Sequence, residues 1–230
     1  MNKAFEIWAE SFLPILETGL KVTIPFSIVV FILGMILATF VAIIRINRIP
    51  ILTQIASIYI WIIRGTPLMV QLFIVFFGLP KVGITLPAIP AAVITYVLSV
   101  GAYYSETIRA SILAVPKGQW EAAEALGLTY FQTFMKIVVP QAAKIATPTL
   151  ANNFIALVKD SSLASTITVT EMMLVTQRAV ARTYEPLLLY IEVAFVYLIF
   201  CTILTYVQGK LENKLTLPEV KRTTHKVEVA

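Results

Sequence analysis

Residues Glu121–Pro140 read EAAEALGLTYFQTFMKIVVP, a charged, helix-sized segment set between long runs of apolar residues. Pro116 can open a helix, because its missing N–H is one that a first turn leaves unpaired anyway, and Gln119–Leu126 is rich in Glu and Ala. Gly127 fits the left-handed position that ends helices. Thr129, with Gln132 three residues on, makes a capping-box pair for a second helix running from Tyr130 through Lys136 toward Pro140. The segment is therefore predicted to be helix, tight stop, helix, and it is too short and too charged to cross a bilayer. Leu126, Leu128, Phe131 and Phe134 cluster around its turn and need a cover, either the ends of the chain's own helices or something else.

The rest of the chain explains why such a segment is unusual. Of 230 residues, 58% are hydrophobic and 13% charged, with a mean hydropathy of +0.85. A soluble domain of this length needs more polar surface than that, so the chain belongs in a bilayer. Its net charge of +5 is scattered between apolar runs rather than gathered on one strip, which argues against nucleic acid and for a topological role. Cys201 is the only cysteine, so no intrachain disulfide forms. No small-residue cleavage site follows the first apolar run, which is predicted to stay as a membrane span.

Five apolar runs approach the roughly 20 residues a helix needs to cross the hydrocarbon core. They are Val22–Ile44, Ile51–Pro80, Val82–Ser105, Ile145–Val158 and Pro186–Gly209, the fourth short and carrying Asn152 and Asn153. Five spans put the termini on opposite faces. With the N-terminus outside, the inner segments hold eleven Lys and Arg against six outside, so the positive-inside rule places the C-terminus and Glu121–Pro140 in the cytoplasm. Met1–Leu13 reads as an interfacial amphipathic segment or a tail, and residues 216–230, with His225, as a mobile cytoplasmic tail. No repeat or low-complexity linker divides residues 1–215, which are read as one transmembrane domain with its loop at 116–140.

The pattern Glu121, Ala122, Ala123, three residues, Gly127, nine residues, Ile137, one residue, then Val139 and Pro140 resembles the cytoplasmic signature of binding-protein-dependent ABC importer permeases, where leucine is usual at the position of Val139. WIIRGTPLMVQLF (Trp61–Phe73), GAYYSETIRASI (Gly101–Ile112), VPKGQWEAAEALG and LVKDSSLAS look like the polar amino-acid uptake group of that family, although Ala110 and Ser111 stand where glycine is more frequent. The resemblance implies an all-α type I importer permease fold in a bacterial inner or plasma membrane. It implies that Glu121, Ala122, Ala123, Leu126, Gly127 and Leu128 form a coupling helix docking into a cytoplasmic ABC ATPase dimer. It also implies a second permease, identical or homologous, and an extracellular or periplasmic solute-binding protein. No G-x-x-x-x-G-K-[ST] phosphate loop is present, so the chain is predicted to carry no cofactor, with ATP and Mg on the partner ATPase.

A charge within a span costs about 2.5–3.5 kcal/mol on insertion scales, so each one needs a reason. Arg64 lies in the second run beside Gly65 and Pro67, and Pro67 cannot donate to the Ile63 carbonyl, so a break or kink is predicted there. Broken backbone at membrane depth lines a cavity or is buried in protein. Arg64 could hold an amino-acid carboxylate bidentately, or pair with Glu192 or Asp160. Asp160, the only aspartate, could take a substrate amino group or pair with Lys159, and Thr66, Asn152 and Ser161 complete the candidate substrate set. Glu106 and Arg109 share a helical face and read as a local salt bridge, with a gate as the alternative. Thr166, Thr168 and Thr170 with Glu171 lie in a stretch too polar to span, which reads as a connector, with a lining of the outer vestibule as the alternative.

The leading expectation is the permease subunit of an ATP-driven importer for a cationic amino acid, glutamine or glutamate, or a cystine-like molecule. A secondary transporter acting alone through Arg64 and Asp160 is the rival. An intramembrane enzyme is disfavoured, because no HExxH, paired carboxylates or Ser/His constellation appears.

Overall fold

The computed structural model describes residues 3–215 and is helical throughout, with no strand among the described residues. Helix α1 (Lys3–Thr18) continues through a π turn at Gly19–Thr23 into α2 (Ile24–Ile46). The run Ala4–Ile46 is 43 residues long, about 65 Å at 1.5 Å per residue, and so exceeds a hydrocarbon core of about 30 Å twofold. The N-terminal segment is thus a helix rather than a tail, anchored near its end where Phe12, Ile15 and Leu16 pack against Met172, Val193, Val196 and Phe200. Gly19 faces the same way because nothing larger fits there, an added Cβ falling 2.4 Å from the Phe200 ring.

The second apolar run is broken as its Gly and Pro predict. Helix α3 (Leu52–Gly65) stops at Gly65, and α4 (Leu68–Phe73) runs on through a π turn and a 3-10 turn to Val82, the two halves meeting at 105°. Helix α5 (Ala88–Leu113) begins after Pro87 and ends eight residues later than the third apolar run suggested, so the charged pair Glu106 and Arg109 lies within it. Short α6 (Lys117–Ala125) and α7 (Tyr130–Thr133) form the loop. From α7 the chain passes through a π turn directly into α8 (Val139–Asp160), so Pro140 sits in a first helical turn rather than at a stop.

After α8 a 3-10 stretch, Ser161–Ile167, turns the chain into α9 (Met172–Thr183), and α10 (Pro186–Leu215) closes the fold. The predicted connector is therefore ordered around a packed helix that touches α1 and α10. The tail from residue 216 onward, with His225, lies outside the described residues. Among the described residues, three helical runs are long and apolar enough to cross a membrane, and the count is four if the broken pair is one span. Helix α8 has the length, 22 residues, but its Lys144, Thr147, Thr149, Asn152 and Asn153 keep it out of that group.

The centre is the pairing of α2 with α5, the most extensive helix contact in the fold. Apolar burial drives little of this in lipid, so close approach of small residues carries it. A Cβ at Gly34 would lie 2.2 Å from Val100 Cγ1, and one at Gly101 would lie 2.6 Å from Leu37 Cδ2. Ala38, Ala91, Ala92 and Ala102 are fully buried. Around this centre the large apolar side chains of α2 and α10, among them Ile32, Ile36, Phe40, Ile191, Phe195 and Leu198, face outward, as lipid contact requires.

Candidate functional site: a polar cavity and an uncovered loop

The cavity starts from the break between α3 and α4. Pro67 leaves the Ile63 carbonyl without its helical donor. The Gln71 amide replaces it: Nε2 donates to Ile63 O at 2.8 Å, to Thr66 O at 3.1 Å and to Thr66 Oγ1 at 2.9 Å. Thr66 Oγ1 in turn donates to Ile62 O at 2.9 Å. Thr66 is thereby spent on bracing the break and does not line the cavity. Arg64, at the last turn of α3, lies over the Tyr103 ring of α5, 5.3 Å from its centroid. A guanidinium on an aromatic face keeps its donors free at its edge.

From Arg64 a cavity of about 450 Å³ extends between α5 and α8. On α5 its wall is Tyr96, Ser99, Tyr103, Tyr104 and Thr107; on α8 it is Thr149, Asn153, Ala156 and Asp160. Both sets recur at three- and four-residue spacing, so each is one helical face, about 16 Å long. The helices run antiparallel. The Tyr96 hydroxyl donates to the backbone carbonyl of Asp160 at 2.5 Å at one end, and Ile112 packs with Ala142 at the other.

Arg64 and Asp160, far apart in sequence, thus line one cavity. Neither is in an ion pair among the described residues. Glu192, the other partner considered for Arg64, is elsewhere: it is buried between α1 and α10 and accepts a hydrogen bond from Ser11 Oγ at 2.7 Å. Asn152 is exposed off the cavity, and its neighbour Asn153 takes the position seven residues before Asp160 on the lining face. Ser161 is buried and donates to Val158 O at 2.8 Å, outside the lining. Tyr96, Tyr103, Tyr104, Thr149 and Asn153 are among the lining residues that sequence reasoning missed. A helical projection from Asp160 finds Asn153, but nothing local marks the tyrosines.

Glu106 does pair with Arg109, whose Nη2 and Nε lie 3.0 and 3.3 Å from Oε2. A second guanidinium, Arg45 from the end of α2, holds its other oxygen. Glu106 lines the end of the cavity away from Asp160 and is clamped by two cations.

The loop has the shape its caps predict. Gly127 has φ +76°. Its N–H reaches Glu124 O at 2.8 Å and the N–H of Leu128 reaches Ala123 O at 3.1 Å, the paired closure of a Schellman motif. Thr129 Oγ1 accepts from the N–H of Gln132, and Gln132 Oε1 accepts from the N–H of Thr129. The apolar cluster divides. Phe134 folds back against Ile112, Val115 and Val138, and Trp120 stacks on Tyr130 with ring centroids 5.7 Å apart. Leu128 is half-buried and Ala123 buried, whereas Glu121, Ala122 and Gly127 are exposed. Leu126 and Phe131 remain 81% and 71% exposed.

Residues 13–217 match the model of the family described as the binding-protein-dependent transport system inner membrane component. The chain is 47% identical over 212 residues to the L-cystine transport system permease protein TcyB of Bacillus subtilis (strain 168), covering 92% of this chain and 91% of that one. It is 37% identical over 204 residues to the arginine transport system permease protein ArtQ of the same organism, covering 88% and 93%. The crystal structure of an amino acid ABC transporter with histidines superimposes with a TM-score of 0.83 at 32% identity, over 88% of this chain and 95% of that one.

Proposed function

The chain belongs to the binding-protein-dependent transport inner membrane component family, as a multi-pass amino-acid ABC transporter permease, and from that premise we propose that it carries a polar amino acid inward by alternating access. A separate ATPase pair docked on the Glu121–Pro140 loop supplies the energy, a second permease completes the pathway, and a solute-binding protein delivers the substrate. ATP and Mg act on the ATPase. The permease itself catalyses no reaction.

The observation that carries this reading is the cavity lined both by Arg64, at a broken helix, and by Asp160, neither of them in an ion pair among the described residues. A free amino acid is a carboxylate and an ammonium one carbon apart. The guanidinium receives the first bidentately, and the aspartate receives the second. The exposed Leu126 and Phe131 beside Gly127 form the contact through which closure of the ATPase pair moves the permease. L-cystine is the first substrate to test, because TcyB is named for it.

In proteoliposomes holding the permease, its ATPase and its binding protein, ATP is expected to drive uptake of labelled L-cystine. Arg64→Ala is expected to reduce that uptake at least about a hundredfold while the complex still co-purifies. Uptake by the permease alone, driven by an ion gradient without ATP, overturns the reading in favour of a secondary transporter. Wild-type uptake by Arg64→Ala removes Arg64 from the site.

A further inference from the structure

We propose that Tyr197 and Glu171 are positioning residues for transport: they hold the turn that presents Asp160 to the cavity. The proposal rests on the reading above, that Asp160 receives the ammonium of the substrate. Asp160 is the last residue of α8, and the 3-10 stretch Ser161–Ile167 follows it directly. Such a stretch has poorer hydrogen-bond geometry than an α-helix and seldom runs beyond about four residues, so the 7 residues here need support from outside. The Asp160 carboxylate goes where this backbone goes, and a charged group in a site works only when held within about 0.5 Å of its position.

The turn is supported on both sides. From the cavity wall, the Tyr96 hydroxyl donates to the Asp160 carbonyl at 2.5 Å. From the far side comes Tyr197 of α10, which lines the groove behind the turn together with Lys159 and Ser162. Its hydroxyl stands beside the buried Ser161 and donates to Glu171 Oε2 at 2.8 Å. The other oxygen of Glu171 accepts from the Leu174 N–H at 3.0 Å, so one carboxyl ties the turn, α9 and α10 together. Capping alone does not account for a glutamate here. A short residue such as serine or asparagine is the usual cap, whereas a carboxyl that is 2% exposed is costly to bury. What the glutamate adds is its second oxygen, and that oxygen holds Tyr197. Neither residue lines the cavity, so each acts on the substrate only through the turn, unlike Tyr96, which is part of the wall.

The test is a double-mutant cycle in proteoliposomes holding the permease, its ATPase and its binding protein, read as the initial rate of ATP-driven uptake of labelled L-cystine. Tyr197→Phe removes one hydroxyl and is expected to lower that rate about tenfold. The ATPase should still co-purify, and the thermal midpoint should fall by no more than about 4 °C, the shift one lost hydrogen bond produces. Asp160→Asn is expected to lower the rate about tenfold or more. Added to Asp160→Asn, Tyr197→Phe should change the residual rate by less than about twofold, because the charge it positions is already gone. Glu171→Ser keeps a cap for α9 but does not reach Tyr197, and is expected to match Tyr197→Phe. Glu171→Gln reaches both partners and is expected to keep the rate within about threefold of the wild type.

Wild-type uptake by Tyr197→Phe or by Glu171→Ser overturns the proposal. Losses that multiply in the double variant, to about a hundredfold, overturn it too, and so does a Tyr197→Phe permease that no longer assembles, since either result makes the contact merely structural. Should Asp160→Asn leave no rate to read, the contrast between Glu171→Ser and Glu171→Gln decides the case by itself. Wild-type uptake by Asp160→Asn takes Asp160 out of the site, and the proposal with it, while ATP-driven transport stands. If the wild type shows no ATP-driven uptake, the functional reading itself fails.

Discussion

Gly127 shows how much one residue's backbone can decide. At φ +76° it adopts the left-handed conformation that closes α6, and an added Cβ there would meet no atom within 4 Å. Substitution therefore strains the backbone without creating a clash, at a cost of roughly 1–2 kcal/mol for an L-residue and more for a β-branched one. Gly127→Val is expected to distort the turn and leave the transmembrane packing intact. In the assembled transporter this should appear as ATP hydrolysis no longer coupled to uptake, measured as a fall in amino acid moved per ATP. Gly127→Asn, which tolerates the left-handed region, is expected to keep most of the coupling. An unchanged stoichiometry in Gly127→Val removes this turn from the coupling path.

The element with the clearest electrostatic signature is α9. Glu171 caps its N-terminus, accepting from the N–H of Leu174 at 3.0 Å, and also accepts from the Tyr197 hydroxyl of α10 at 2.8 Å. Burial pushes its carboxyl up to about 7, more than these hydrogen bonds pull it down. The folded state therefore holds the proton more tightly than the unfolded chain, where the ordinary value is 4.5. The stability this group contributes is complete below about 4.5 and is lost as pH rises through about 7. Over that window the loss is on the order of 3 kcal/mol. Thermal unfolding of the detergent-solubilised protein should show a midpoint falling across the window, and Glu171→Gln should flatten that part of the profile. A parallel profile in the variant assigns the slope to other groups. The polarity of Thr166–Glu171 alone does not disclose this anchor, because the tyrosine completing it comes from α10.

For the whole molecule, the main contrast is between the two kinds of exposed apolar surface. The outward faces of α2 and α10 form belts at membrane depth. Leu126, Tyr130 and Phe131 are exposed too, but on a loop whose Glu121, Glu124, Lys117 and Lys136 keep it in water. A patch of that kind on a soluble loop marks a protein contact. On the proposed assembly its reader is the ATPase, and an apolar side chain at the centre of such a contact contributes about 2 kcal/mol or more. Phe131→Asp is expected to reduce co-purification of the ATPase at least about tenfold while membrane insertion and the thermal midpoint of the permease stay within error. Full retention of the ATPase excludes Phe131 from the interface.

How much of this was legible in the sequence depends on the distance over which each force acts. Caps, proline breaks and apolar runs work within a few residues, so the helical membrane class, the break after Arg64 and the helix–stop–helix of residues 121–140 follow from the sequence by itself. The family signature at Glu121–Pro140 is local in the same way. Only the tertiary structure decided that Asn153 and not Asn152 lines the cavity, that Thr66 braces the break, and that the N-terminal segment packs as a helix on α9 and α10. It also decided that Arg45 reaches Glu106 from another helix. These outcomes depend on how each helix is rotated and where it crosses its neighbours. Close fit at Gly34, Gly101 and Gly19 sets that rotation, and no rule confined to one turn of chain contains it.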